Sequence, residues 1–155
     1  MIRIRRATSD DAATLTAIAH AAKRHWGYPE QWIESWSDQL TLSAAYLRKH
    51  EVHVSIVEGR PVGFYALEQS AGRTELGHLW VIPEMMGRGM GRRLFGHAVE
   101  RATAAGVDAI EILSDPNAES FYEKMGARRV GRVDASVDDV VRYLPRMQID
   151  LTGGR

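Results

Sequence analysis

The chain of 155 residues contains no cysteine. That excludes disulfides, thiolate metal sites and a cysteine acyl-enzyme, and it leaves the redox compartment unreadable from cysteine usage. It has no excess of either charge. Twenty basic and twenty acidic side chains cancel, so no global positive field draws the protein to nucleic acid or to an anionic membrane. Nor is there any apolar run near the roughly 20 residues that cross a bilayer. Met1-Ile2-Arg3-Ile4-Arg5-Arg6 leads straight into polar residues, without the apolar stretch of a secretory signal. A cytoplasmic location is therefore expected.

What is present is ordinary core-forming material: 45% apolar and 26% charged residues, a balance typical of a folded globule. The length suits one domain, expected over residues 1–152 with 153–155 as a frayed tail. Ile2 to Arg6 alternates like a half-buried strand, and Ser9-Asp10-Asp11 offers a helix cap. Leu15, Ile18, Ala19 and Ala22 recur at helical spacing over Ala12 to Lys23. The aromatic stretch Trp26 to Trp36 reads as a bend followed by a short helix, and a second short helix is predicted over Ser43 to Lys49. Val52 to Glu58, Val62 to Gln69 and Arg73 to Ile82 then read as three consecutive antiparallel strands, with Pro83 stopping the last. The best-defined helix spans Gly89 to Ala105, where Met90, Leu94, Ala98 and Ala102 repeat and Gly106 suits a left-handed terminus. A strand over Val107 to Leu113, a helix opened by Ser114-Asp115-Pro116-Asn117 and closed by Gly126, and strands over Arg128 to Val133 and Val141 to Leu151 complete the chain.

The segment Val81-Ile82-Pro83-Glu84-Met85-Met86-Gly87-Arg88-Gly89-Met90-Gly91-Arg92-Arg93-Leu94 joins a strand to that helix with glycines at alternate positions. Such a turn can aim successive backbone N–H groups into one concavity at the positive end of a helix dipole, as a pyrophosphate requires. Two other nucleotide motifs fail on their own requirements. A dinucleotide fingerprint needs a glycine or alanine where Leu94 stands, and a P-loop needs Gly-Lys followed by Ser or Thr. On these residues alone, a tight turn whose glycines only relieve backbone strain is the lesser alternative.

Met86-Gly87-Arg88-Gly89-Met90-Gly91 resembles the signature of the GNAT superfamily of N-acyltransferases, with methionine in place of the usual leading Gln or Arg. Leu79-Trp80-Val81-Ile82-Pro83 resembles that family's fourth strand and exit proline. Asn117-Ala118-Glu119-Ser120-Phe121-Tyr122-Glu123-Lys124-Met125-Gly126-Ala127 resembles its downstream Asn, Phe-Tyr and Gly segment, and Tyr143 to Leu151 its closing strand. The resemblance implies a mixed α+β fold: a twisted, mostly antiparallel central sheet of about six to seven strands flanked by helices, with the fourth and fifth strands splayed. It implies acetyl-coenzyme A as co-substrate, its pantetheine arm pairing with the backbone at Leu79 and Val81 and with Asn117. The pyrophosphate would lie on the loop from Met86 to Arg92, over Gly87, Arg88, Gly89, Met90 and Gly91.

Acetyl transfer to an amine needs a neutral nucleophile, a polarised thioester and a proton for the departing thiolate. A lysine-like amine has a pKa of about 10.4, so a base helps. Glu75 matches the position that supplies the base in some members of the resembled family, and strand alternation puts it on one face with Gly77, Leu79 and Val81. A solvated carboxylate paired with Arg73 is the plain alternative. His78 is the rival base but points to the opposite face. Tyr122 falls where the resembled family often sets a tyrosine beside the thioester sulfur, and its phenol can donate to the forming thiolate. Asn117 is expected also to cap its helix.

Without cysteine, direct attack in a ternary complex is favoured over a double displacement. The six histidines show no metal-ligand spacing, and no catalytic metal is expected. Trp26 and Tyr28 are the acceptor-lining candidates, suited to a flat group or a cation over a ring, while Trp32 and Trp36, one helical turn apart, read as anchors. The acceptor is expected to be an amine on a small molecule, peptide or protein, with neither nucleic acid nor membrane as partner and homodimerisation left open. A non-catalytic acyl-coenzyme A sensor is the alternative function.

Overall fold

The computed structural model describes residues 1–152; the tail expected over 153–155 lies outside the described residues. The chain forms two compact units, one of Met1–Leu67 with His78–Ala98, the other of Glu68–Gly77 with Val99 onward.

In the first unit, β1 (Ile2–Arg6) ends at an ion pair that sets the entry to α1 (Ala12–His25). Arg5 donates from both terminal nitrogens to the two oxygens of Asp11 at 3.0 Å, and the Thr8 N–H donates to the same carboxylate at 2.8 Å. A 3-10 turn over Ser9–Asp11, capped by Thr8, leads into α1, and Asp11, within the segment expected to offer the cap, stands at the α1 N-cap. Helix α1 buries Leu15, Ile18, Ala19 and Ala22, the four positions its periodicity selects. Then come α2 (Glu30–Ser35), α3 (Ser37–Leu40) and α4 (Ala44–Lys49). The sequence pattern did not single out α3, which is one turn long and buries only Leu40. Ser43 caps α4, its hydroxyl accepting the Tyr46 N–H at 3.0 Å.

Strand β2 (Glu51–Val57) pairs antiparallel with β1 and with β3 (Arg60–Ser70). Glu58 and Gly59 between them both have positive φ, the conformation that matches a two-residue hairpin to strand twist. β3 begins two residues earlier than expected, because Pro61 is accommodated beside a bulge between Ser55 and Ile56. Val52–Ile56 and Val62–Leu67 are continuously buried rather than alternating, which marks strands covered on both faces.

The hairpin to β4 (Arg73–Val81) turns on Ala71 and Gly72, again both at positive φ. Along β4, Thr74, Leu76 and His78 are buried while Glu75, Gly77, Leu79 and Val81 are half-buried. A short 3-10 turn over Pro83–Met85 leads to α5 (Met90–Ala104), whose buried stripe includes Met90, Leu94, Phe95, Ala98 and Ala102.

In the second unit, α5 closes on Gly106 (φ +80), and the Val107 N–H still returns to the Ala102 carbonyl at 3.0 Å. The cap therefore consumes Val107, and β5 (Ala109–Leu113) starts two residues later than the alternation suggests. It is followed by α6 (Glu119–Lys124), β6 (Arg128–Asp134) and β7 (Tyr143–Asp150). β7 starts at Tyr143 and not Val141 because Val140 turns back to bridge Val137 across Asp138 and Asp139, both at positive φ.

β5 pairs with β7 along its whole length, from Ala109↔Asp150 to Leu113↔Arg146. Its parallel register with β4 pairs Glu75 with Glu111 and Leu76 with Ile112. The strands form a seven-stranded sheet in the order β1-β2-β3-β4-β5-β7-β6, mostly antiparallel with a parallel β4–β5 step. Among the described residues no helix is long and apolar enough to cross a membrane.

Candidate active site

The residues expected to carry chemistry divide between the two units. In the first, the glycine turn has the backbone its spacing suggested. Gly87 and Gly89 sit at φ +78 and +82, and a Cβ built at either meets nothing within 4 Å. The glycines are therefore required by conformation and not by crowding, and the space above the turn is open.

The first bond inside α5 runs from the Arg93 N–H to the Gly89 carbonyl at 3.1 Å. The amides of Met90, Gly91 and Arg92 precede it and so have no acceptor within the helix. They project at the positive end of a 15-residue helix. Arg88, Arg92 and Arg93 are exposed around it, while Met86, the departure from the usual signature, is half-buried with its N–H on the Pro83 carbonyl. The turn is braced from below, since Ile82 donates to the Val62 carbonyl at 2.9 Å and Gly63 is held so close to the Trp80 carbonyl that a Cβ there would sit 2.8 Å from it.

Leu79 and Val81 fall on the half-buried face of β4, and His78 on the buried one. The His78 Nδ1 accepts the Trp80 indole N–H at 2.8 Å, and its ring packs against Tyr46 and Phe64. It is thereby engaged as a packing and bracing residue.

Of the aromatic stretch, Tyr28 stacks on Trp32 and meets Trp36 edge-on at 5.1 Å. Trp26 stands apart from that group, 41% exposed, with its ring against His25. The structure thus brings Tyr28 together with the two tryptophans taken as anchors rather than with Trp26.

The second unit holds Glu75, Asn117 and Tyr122. Glu75 is half-buried, and burial raises its pKa above the ordinary carboxylate value; the negative charges of Glu68 and Glu111 push the same way, against Arg146 and Arg73. Arg73 is not its ion-pair partner, because its Nε donates to Glu111 at 2.8 Å. Glu68 was not anticipated. Its carboxylate lies against Gly77, in the space a side chain at that position would fill. The signal was available in retrospect, since a glycine inside a strand marks a close approach.

Tyr122 is buried, and burial first, then the charge of Asp115, holds its phenol well above the usual tyrosine value. Its carbonyl accepts the Ala127 N–H at 3.0 Å, so the Gly126 turn (φ +104) locks the helix end that carries it.

Asn117 does not cap its helix as expected. The 3-10 turn Pro116–Ala118 that leads into α6 is capped by Asp115, whose carboxylate accepts the Asn117 backbone N–H at 2.8 Å and its side-chain amide at 2.9 Å, with Arg142 at 3.6 Å. Helix α6 itself has Ala118 at its N-cap, without a side-chain cap. Proline at the next position favours this, because Pro116 takes the first helical place and lacks an N–H of its own. Asp115 is thus a second residue missed from the sequence: it fixes Asn117 and lies near enough to bias Tyr122. Among the described residues no cluster of three or more His, Asp or Glu side chains could hold a metal ion.

The GNAT acetyltransferase domain family matches residues 11–151 of the chain. The protein belongs to that family and is an acyltransferase. Among solved structures it is similar to a GCN5-related N-acetyltransferase from Rhodopseudomonas palustris (26% identity, TM-score 0.82, covering 96% of this chain and 95% of that one). The PaiA N-acetyltransferase from Thermoplasma acidophilum, solved with coenzyme A, shares the fold at 21% identity and TM-score 0.77, covering 97% and 99% of the two chains. So does the ribosomal-protein-S18-alanine N-acetyltransferase from Escherichia coli, at 17% identity and TM-score 0.72, covering 97% and 94%. A search of curated protein sequences gives no match.

Proposed function

We propose that the protein transfers the acetyl group of acetyl-coenzyme A to a primary amine by direct attack in a ternary complex, in the cytoplasm, as one functional domain over residues 1–152. The observation that carries this reading is the glycine turn, where two positive-φ glycines open onto the amides of Met90, Gly91 and Arg92, which precede the first bond inside α5. Such an array favours a diphosphate through oriented N–H groups and the helix dipole, and it needs no particular side chain. That explains why methionine at position 86 is compatible with the role. The fold shared with the coenzyme A complex of the Thermoplasma enzyme supports it.

The acyl donor supplies an activated thioester, and the chain supplies orientation and proton management. The main chain at Leu79 and Val81, on the half-buried side of β4, is assigned to the pantetheine amides as an added strand would be. Asn117, held by Asp115, is assigned to the same arm. Glu75 accepts the proton of the attacking amine, directly or through water. Burial, then two neighbouring carboxylates, raise its pKa, which makes it a better base than an exposed glutamate.

Tyr122 donates to the leaving sulfur. A thiol has a pKa of about 8.5 and the Tyr122 phenol is raised above its own ordinary value, so full proton transfer runs uphill. Its role is a hydrogen bond that strengthens as negative charge develops on sulfur.

Incubation with acetyl-coenzyme A and a panel of primary amines, with free thiol detected and corrected for hydrolysis, tests the proposal. Amine-dependent thiol release with initial-rate lines that intersect is the expected result. Parallel lines would contradict direct attack, and binding without any release would leave the chain a sensor.

A further inference from the structure

Lys23 sits in the last turn of α1, next to Arg24, which pairs with the Glu30 carboxylate at 2.8 Å. The Lys23 ammonium goes elsewhere. Its Nζ lies 4.6 Å from the Trp36 ring centroid, 5.0 Å from Tyr28 and 5.9 Å from Trp80. All three are within the reach of about 6 Å at which a ring quadrupole attracts a cation. An ammonium is strongly hydrated, so three convergent ring faces amount to a receptor that compensates for lost water.

The walls are fixed by other contacts. Trp32 backs both Tyr28 (6.1 Å) and Trp36 (6.0 Å), and the Trp80 indole is anchored by its 2.8 Å bond to His78. Lys23, Tyr28, Trp36 and Trp80 are all half-buried, so each keeps some contact with solvent. The occupant of the box, by contrast, is a flexible four-carbon arm that can leave.

We propose that Tyr28, Trp36 and Trp80 form a binding site for an alkylammonium group of the acceptor, filled by Lys23 until the acceptor displaces it. Trp80 lies between Leu79 and Val81, the two residues assigned above to the pantetheine arm, with its side chain on the other side of the strand from theirs. A cation in the box is therefore held beside the strand that carries the acyl donor.

The rings favour the charged form of whatever nitrogen they hold, and a charged nitrogen cannot attack a thioester. The acceptor must then carry a cationic nitrogen besides the amine that is acetylated. That assignment to the acceptor rests on the acyl-transfer reading; the existence of a cation site does not. Lys23 acts as an intramolecular competitor, lowering apparent affinity by the fraction of time the box is filled.

Tryptophan fluorescence titrated with tetramethylammonium chloride, against sodium chloride at equal ionic strength and against tert-butanol as a neutral probe of similar size, tests the site. Lys23→Ala should bind tetramethylammonium at least about tenfold more tightly than the wild type, and neither should saturate with tert-butanol. Lys23→Arg, which keeps a cation in the box, should behave as wild type. In the Lys23→Ala background, Trp36→Leu should abolish binding and Trp36→Phe, which keeps a ring, should retain part of it.

Equal affinity of Lys23→Ala for the cation and the alcohol, or no gain over wild type, would overturn the proposal and leave Lys23 a latch between helices. So would binding that survives Trp36→Leu. Coenzyme A affinity measured on the same variants separates the two readings. Retained coenzyme A binding without a cation site sinks this inference alone, and a cation site without coenzyme A binding sinks acyl transfer alone.

Discussion

The turn from Pro83 to Arg92 and the region around Glu75, Asp115 and Tyr122 are built from different materials. As proposed, the first works through main-chain N–H groups, and the side chains around them are exposed arginines with the half-buried Met85 and Met86. The second is proposed to work through ionisable side chains whose properties are set first by burial and then by neighbouring charges: Glu68 and Glu111 for Glu75, and Asp115 for Tyr122. The contrast teaches where each kind of site is fragile. A main-chain cradle tolerates side-chain replacement but not loss of a positive-φ glycine. A side-chain site tolerates backbone adjustment but not a change in one partner's charge.

The largest effect is expected in the second region. Glu75→Gln should lower turnover about a hundredfold, in the range typical of a lost general base, with the affinity for acetyl-coenzyme A unchanged. In the wild type, turnover should rise with pH through a midpoint above the ordinary carboxylate range, because Glu75 must be ionised to accept a proton and its pKa is raised. Removing one of the like charges with Glu68→Gln should move that limb to lower pH. The linkage has the opposite sign for stability. The folded state favours the protonated carboxyl, so ionisation of Glu75 takes stability away as pH rises, and Glu75→Gln should melt at or above the wild-type temperature at neutral pH.

Next comes the cradle. Ala at both Gly87 and Gly89 forces two residues into the left-handed region at about 1–2 kcal/mol each. Coenzyme A affinity should fall roughly tenfold to a hundredfold by calorimetry, while Arg88→Ala should change it far less at physiological salt.

Tyr122→Phe should follow, with turnover down about tenfold for one lost hydrogen bond to a charged sulfur and folding unaltered; unchanged turnover would remove Tyr122 from the chemistry. Smallest is Asp11→Asn, at the entry to α1 and without a role in either region. It should cost about 1 kcal/mol of stability in a denaturant melt, discounted for the exposure of Arg5, and leave turnover alone. Because the Arg5 hydrogen bonds lower the Asp11 pKa, that contribution is present above the unfolded-state pKa and disappears as pH falls through the folded one.

The same division decided what could be read in advance. Gly106 and Gly126 sit at positive φ and are legible because a glycine after a periodic run reports a local backbone need, while Gly87 and Gly89, also at positive φ, stand out by their alternate spacing ahead of a helix. The helix faces were legible for the same reason: Leu15, Ile18, Ala19 and Ala22 bury together since one period dictates it. Glu68, Glu111 and Arg146 acquire meaning only once strands are paired, and nothing local distinguishes a carboxylate that leans on Gly77 from one in water. Asp115 was hidden by a nearer candidate, since Asn117 is also a good capping residue and only the position of Pro116 decides between them. The Lys23 box escaped because its members come from α1, the segment after it and β4, and aromatic spacing one helical turn apart looks the same in an anchor and in a wall.

The central claim is that the main chain at the start of α5 binds the diphosphate of an acylated cofactor. Calorimetric titration of the wild-type protein with acetyl-coenzyme A and with acetyl-pantetheine, which lacks the diphosphate, tests it most directly. The account predicts saturable binding of the first and affinity for the second weaker by at least about a hundredfold, or roughly 2.7 kcal/mol. Equal affinity for the two, or no affinity for either, would contradict it.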